Sequence, residues 1–372
     1  MHSRSPVVLM IDSLRGGGAE RFVLTLAQAF SHLGYDTHII LFKDGGVDYA
    51  LEENIHYHFF DYYPCAWLPR GALRQLSHAF RCRLNAWRLD AYIKWYIGKP
   101  GLILSNLLLV DQILRLSRFN VVTHVLHHAL SAEIYTVYTD IAWQNRKMQE
   151  TQRLYYGRRL VGVSQGVVDD YVNHIDPQAR ITAILNPVDQ AKITALSQIE
   201  PKPYPFAYLI HVGRFSEQKD HATLIRAYAA SAQTLPLVLV GKGEEEDNCR
   251  RLVQELGVAE QVIFAGFHAN PYPLIAHATG FVLSSRYEGF GLVIAESLAL
   301  GIPVISTDCP SGPNELLPSH CLVPVGNIAA LSAKMDELMQ SPEQFKVPFN
   351  EDLLPEKVAQ RYLDWRDNKL FT

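Results

Sequence analysis

Short apolar runs alternating with stretches of helical periodicity, in two successive series, constrain this chain more than any other feature. In the first half, Val7 to Ile11, Thr37 to Phe42, Leu102 to Leu104, Val121 to Leu126 and Leu160 to Val163 have the length and composition of strands. In the second half, Tyr208 to Val212, Leu237 to Val240, Val262 to Ala265, Phe281 to Ser284 and Pro303 to Thr307 repeat the style. Between the first two runs, Phe22, Val23, Leu26, Phe30 and Leu33 fall on one helical face. Gly34, Gly257 and Gly301 stand where helices stop. This is the pattern of βα units feeding parallel sheets, and it predicts two doubly wound α/β domains.

The alternating prolines of Glu200-Pro201-Lys202-Pro203-Tyr204-Pro205 deny both helix and ladder pairing. They mark a linker over 200–206 between a first domain, 1–199, and a second, 207–350. Residues 351–372, with an amphipathic pattern from Pro355 to Phe371, read as a terminal helix that packs back on the first domain. A length of 372 residues suits two domains. Open parallel sheets bind ligands at the carboxyl ends of their strands, so a cleft between the domains is the expected site.

Composition excludes more than it selects. With 48% hydrophobic and 19% charged residues, the chain is neither disordered nor fibrous. Up to residue 200 there are 20 basic and 18 acidic side chains, and beyond it 14 and 20, so bulk charge does not point to nucleic acid. Cys65, Cys82, Cys249, Cys309 and Cys321 are odd in number and scattered, which fits reduced thiols and not a zinc site. No leader-like segment opens the sequence and no run of about 18 apolar residues occurs. A cytoplasmic protein is expected, with any membrane contact peripheral, on the inner face of the cell membrane.

Three loops carry candidate chemistry. Ser284 to Glu296 places Glu288, Gly289, Phe290 and Gly291 at a strand-to-helix turn, and free backbone N–H groups at such a terminus attract phosphate. Glu288 and Glu296 are eight residues apart, up to about 12 Å along a helix. That reach resembles the span from the sugar of a nucleotide sugar to its ribose, and carboxylates there would accept from hydroxyls at both ends. The plainer alternative is a dipole-favoured Glu and a solvated one. In the second loop, Gly213 permits a tight turn after His211-Val212, Arg214 and Lys219 can close on an anion, and Asp220 would cap the next helix. Incidental cations on a solvated loop are the alternative. Thirdly, Arg15-Gly16-Gly17-Gly18-Ala19-Glu20 exposes backbone N–H groups to a phosphate or sugar. It matches neither the dinucleotide nor the P-loop fingerprint.

Taken in order, these residues resemble the retaining glycosyltransferases of family 4, which have the GT-B fold of two Rossmann-like domains facing across a cleft. The resemblance rests on Gly17, Gly18 and Glu20; Val163-Ser164; Leu185-Asn186-Pro187-Val188-Asp189; Val212-Gly213-Arg214 with Lys219; Glu288 to Glu296; and Asp308-Cys309-Pro310-Ser311-Gly312-Pro313 with Glu315. It implies that Glu288 and the backbone of Phe290, Gly291 and Leu292 hold the donor sugar, Glu296 the ribose, and Arg214 with Lys219 the diphosphate. Gly17 and Gly18 would face phosphates or acceptor, Gly241 and Phe267 would border the base, and His127 would lie near the reacting carbon in preference to the adjacent His128. A satisfied structural histidine is the alternative for that position. Asn106, Asp111 and Gln112 follow a first-domain strand; they could line the acceptor side, but the favoured alternative is an exposed loop.

The resemblance also implies a same-face displacement from a UDP-sugar, in which the leaving phosphate helps deprotonate the acceptor. The acceptor expected is a lipopolysaccharide, a lipid-linked glycan or another surface glycan. No D-x-D sequence occurs, so no metal or other cofactor is expected. A nucleotide-sugar epimerase, a phosphorylase and a binding scaffold without chemistry are the competing readings. Between Arg70 and Lys99 lie seven basic residues and one acidic, Asp90. There Leu73, Leu76, Phe80, Leu84, Trp87, Ala91 and Trp95 follow helical spacing beside Arg74, Arg81 and Arg88. Such a helix suits an anionic membrane surface or, alternatively, a core with a solvated basic face.

Overall fold

The computed structural model describes residues 4–42, 47, 51–62, 72–199 and 202–369, the side chains of 72–77 excepted. Cys65, Glu200, Pro201 and Phe371, and the side chains of Leu73, Arg74 and Leu76, therefore lie outside the described residues. The chain divides into two compact units. Unit 1 comprises residues 1–163, 167–187 and 355–372, and unit 2 comprises 164–166 and 188–354.

The strands of unit 1 are β1 (Val7–Ile11), β2 (Thr37–Leu41), β3 (His56–Phe59), β4 (Leu102–Asn106), β5 (Val122–Leu126), β6 (Arg159–Gly162) and β7 (Arg180–Ala183). They form one parallel sheet in the order β3-β2-β1-β4-β5-β6-β7. Unit 2 contains β8 (Leu209–Val212), β9 (Leu237–Val240), β10 (Val262–Gly266), β11 (Gly280–Leu283), β12 (Val304–Thr307) and β13 (Leu322–Val323). Its sheet is also parallel, ordered β10-β9-β8-β11-β12-β13. Both are doubly wound, and each reverses its winding beside its first strand, at β1/β4 and at β8/β11.

Helices cover both faces, so the central strands β1, β4, β9 and β11 are buried throughout. They read as apolar runs, broken only in β4 by the buried Ser105 and Asn106. β3, β7 and β13 are absent from the sequence expectation. β3 and β7 are edge strands with only partly buried or exposed residues, and β13 is a two-residue edge, so none carries the apolar run. The helix Gly18–His32 buries Phe22, Val23, Leu26 and Phe30. It ends in a Schellman motif, with Gly34 N bonded to Ser31 O and Tyr35 N to Phe30 O, and Gly34 at φ +78° supplies the left-handed turn.

Unit 2 begins before the expected linker. The helix Gln190–Ser197 belongs to it: Gln190 donates to Ala299 O at 3.1 Å, and Leu196 O accepts from Asn270 at 3.0 Å. After Leu354 the chain rejoins unit 1, where the helix Pro355–Arg366 packs on Gly18–His32 and buries Tyr362 and Trp365 completely.

Candidate active site

In unit 2 the loops that follow β8 and β11 meet at the point where the sheet reverses. Backbone and side-chain bonds lace them together. Arg286 N donates to Gln218 O at 2.8 Å, Gln218 Nε2 to Tyr287 O at 2.9 Å, and Ser284 Oγ to Lys219 O at 2.8 Å. Asp220, at φ +48°, caps the helix His221–Ala230 through Thr223 N and also accepts from Arg286 Nε at 3.2 Å. The result is an ion pair between residues 69 positions apart: Lys219 Nζ lies 2.5 Å from Glu288 Oε1. Ser285 Oγ donates to the same oxygen at 2.6 Å. Glu288 is only 6% exposed, and an ionised carboxylate at that depth requires partners of this kind.

The neighbouring loops close around this pair at backbone distance. A Cβ on Gly241, at φ +150°, would strike Gly213 O, and one on Gly312, at φ +94°, would strike Phe290 O. Gly213 N donates to Val240 O, Gly241 N to Gly266 O and Glu288 N to Pro310 O. Arg214 is exposed beside this weave. Gly291, at φ +79°, begins the helix Leu292–Ala299. The Phe290 side chain is core, so only its backbone is available to a ligand.

Glu296 sits in that helix 3% exposed, and accepts from Tyr272 OH at 3.1 Å. It is not the solvated carboxylate that the plainer reading expected. At the far end of β10, Phe267 is 44% exposed, with Lys242 Nζ 4.4 Å from its ring centre. Underneath, His211 and His221 are buried, and burial holds their pKa values down to about 4 and about 2. Burial, with the charge of Glu288, pushes the Cys309 thiol far up, so it is no nucleophile. A separate cavity of about 470 Å³ in unit 2, lined by Ser216, Arg226, Arg251 and Arg286 among others, does not include Lys219 or Glu288.

In unit 1 the corresponding reversal point holds a cavity of about 600 Å³, whose lining includes Asp12, Leu108, Gln112, His127, Glu133 and Lys147. Asn106 ends β4 and donates its Nδ2 to Met10 O and Leu104 O, which leaves Oδ1 to accept from His127 Nε2 at 2.9 Å. That bond places the proton on Nε2 and leaves Nδ1 as the acceptor nitrogen. Burial, then the neighbouring His128, lowers the His127 pKa to about 3, so the ring is neutral. His128 instead pairs with Glu133 at 2.7 Å.

Asp111 and Gln112 lie on the helix Leu108–Leu114, not on an exposed loop. Asp111 is buried and accepts from Ser105 Oγ, His124 Nδ1 and Tyr155 OH at 2.5, 2.6 and 2.8 Å. Sequence reading missed His124, Tyr155 and the left-handed Leu107 (φ +70°), because a leucine at positive φ has no sequence signal. In the loop after β1, the Glu20 carboxylate folds against Gly17, whose Cβ it would meet. A Cβ on Gly18 would find nothing within 4 Å, so that glycine borders open space.

Comparison with known proteins places this geometry in a family. The family described as Glycosyltransferase Family 4 matches residues 16–192, and Glycosyl transferases group 1 matches 192–350. One relative is the N-acetylgalactosamine-N,N'-diacetylbacillosaminyl-diphospho-undecaprenol 4-alpha-N-acetylgalactosaminyltransferase of Campylobacter jejuni. It is 38% identical over 156 residues, which are 41% of this chain and 42% of that protein. The lipopolysaccharide 1,6-galactosyltransferase of Salmonella typhimurium is 29% identical over 168 residues, 44% and 46% of the two chains. The matched stretches thus span less than half the length of these curated relatives. Anabaena HepE, solved with UDP and glucose, shares the fold at a TM-score of 0.71 and 20% identity, over 98% of this chain and 95% of that one. With two family matches running from residue 16 to 350 and two sheets wound alike, the chain belongs to glycosyltransferase family 4 and has the GT-B fold.

Proposed function

We propose that the protein transfers a sugar from a UDP-sugar to a hydroxyl of a lipopolysaccharide, lipid-linked or other surface glycan, with retention of configuration and without a metal ion. The observation that carries the reading is the ion pair between Lys219 and the buried Glu288 at the reversal point of the second sheet, with Arg214 exposed beside it. Both bonds to Glu288 fall on Oε1, so Oε2 is the oxygen that accepts from a donor-sugar hydroxyl. Lys219 and Arg214 neutralise the diphosphate as the glycosidic bond breaks, in the place of a divalent cation. The first turn of Leu292–Ala299 adds backbone N–H groups toward the phosphates, and Glu296 receives the ribose hydroxyls. Phe267 and Gly241 border the base.

In unit 1 the neutral His127, with Nδ1 free to accept, faces a cavity suited to the acceptor end of the reaction. Gly18, which borders open space, and Gly17 beside it face the phosphates or acceptor. The Anabaena structure with UDP and the relatives acting on lipopolysaccharide and a diphospho-undecaprenol glycan support the choice of donor and acceptor class. Release of the free nucleoside diphosphate from a panel of UDP- and GDP-sugars, with and without a chelator, reads donor and metal requirement together. Lys219→Ala should lower turnover by at least about a hundredfold. It also leaves Glu288 short of a partner, so Arg214→Ala is the companion: an exposed site, whose loss should weaken UDP binding about tenfold with an unchanged melting temperature. Near-normal turnover in folded Lys219→Ala sinks the diphosphate assignment.

A further inference from the structure

In unit 2 the carboxylate of Glu296 is held by a side chain that sequence reading did not single out. Tyr272 OH donates to Glu296 Oε1 at 3.1 Å across 24 positions of the chain, and the two residues are 8% and 3% exposed. The last torsion of a glutamate side chain is broad, so a carboxylate restrained only by its own chain offers its oxygens over a wide range of directions. A donor on a fixed support selects one of them.

The support for this donor is fixed at three points. Tyr272 stands in Asn270-Pro271-Tyr272-Pro273, where two proline rings lock their own φ. Asn270 accepts from Tyr272 N through Oδ1 at 3.3 Å and donates through Nδ2 to Leu196 O at 3.0 Å. The short helix that begins here, Tyr272–Ala276, is tied to the sheet by Tyr208, next to the first residue of β8, whose OH donates to Leu274 O at 2.6 Å. Glu296 lies in the helix Leu292–Ala299, and that helix is bound to the same splint as Asn270, since Gln190 Nε2 donates to Ala299 O at 3.1 Å. The helix Gln190–Ser197 therefore grips both the corner that carries the phenol and the helix that carries the carboxylate. Any donor can satisfy a buried acceptor, whereas orienting one takes a donor whose own position is set.

We infer that Tyr272 is a positioning residue for the nucleotide: its phenol holds the Glu296 carboxylate in the orientation that meets the ribose hydroxyls, so that orientation exists before the nucleotide arrives. The inference rests on the assignment of Glu296 to the ribose. The ligand it selects is a nucleoside diphosphate with an intact ribose diol, and a nucleotide without those hydroxyls gains nothing from the phenol.

Titration calorimetry on the full chain with UDP and with 2′,3′-dideoxy-UDP tests it. The wild type should bind UDP at least about thirtyfold more tightly, because the dideoxy form leaves a buried carboxylate without its hydroxyl donors. Tyr272→Phe keeps the ring and removes the donor. It should narrow that preference at least about fivefold by weakening UDP while dideoxy-UDP binds as before, with a melting temperature within a few degrees of the wild type. In a Glu296→Gln background, where little preference remains, Tyr272→Phe should narrow it no further, as expected of a residue that acts through Glu296. A wild type that binds the two nucleotides alike overturns the ribose assignment and the inference with it. A wild type that prefers UDP overturns the positioning role alone if Tyr272→Phe keeps the full preference, if it loses affinity equally for both nucleotides, or if it narrows the preference further in the Glu296→Gln background.

Discussion

At the scale of single residues, burial decides most of the chemistry. Three histidines, His127, His211 and His221, have pKa values lowered to about 3, 4 and 2, in each case chiefly because burial penalises the charged ring. In the unfolded chain each takes up its proton near pH 6.5, whereas the folded chain does not until far lower. The unfolded state therefore binds more protons in that window, so their contribution is complete above about pH 6.5 and is lost as pH falls toward the folded values. Each can remove up to about 1.4 kcal/mol per pH unit there. The melting temperature should drop steadily from about pH 6.5 to pH 4, and His221→Phe, which keeps the stack on Phe215, should flatten the drop. A wild-type melting temperature that holds level over that range counts against buried neutral rings. The residue types of the site were legible in sequence. What could not be read is that Glu296 is buried, or that Asp111 holds His124 and Tyr155, since these depend on contacts 13 to 44 positions apart.

At the scale of elements, the loops after β8, β9 and β10 behave as one piece because glycine lets their backbones touch. Gly241→Ala would drive a Cβ into Gly213 O at a φ that L-residues rarely adopt. It should cost about 1–3 kcal/mol or more, read as a loss of several degrees in melting temperature and as weaker UDP binding, because Gly213 carries the turn to Arg214. An unchanged melt would mean that the loops are not held as described. Strands with buried faces were legible as apolar runs. The edges β3, β7 and β13 were not, since a short strand wet on one side has a composition close to that of a loop.

At the scale of the whole molecule, the chain crosses from unit 1 to unit 2 and returns. The return is held by Trp365, fully buried, with the Arg159 guanidinium 5.2 Å from its ring centre. Trp365→Ala should destabilise unit 1 by about 3–5 kcal/mol, seen as an earlier melting transition, with little effect on UDP binding by unit 2. A coincident loss of both transitions would show instead that the units unfold as one. The amphipathic pattern near the C-terminus signalled a helix expected to pack back on the first domain, and the structure supplies its contacts, with Tyr362 and Trp365 fully buried in unit 1. Sequence by itself determined the two series of βα units, the family, and the residue types at each strand end, because apolar period and loop chemistry are local properties. Only the tertiary structure decided where unit 2 begins, that Lys219 meets Glu288, and that the aromatic stripe from Phe80 to Trp95 faces water. Those outcomes depend on which surfaces the packed core has room to bury, and that is settled among residues far apart in the chain.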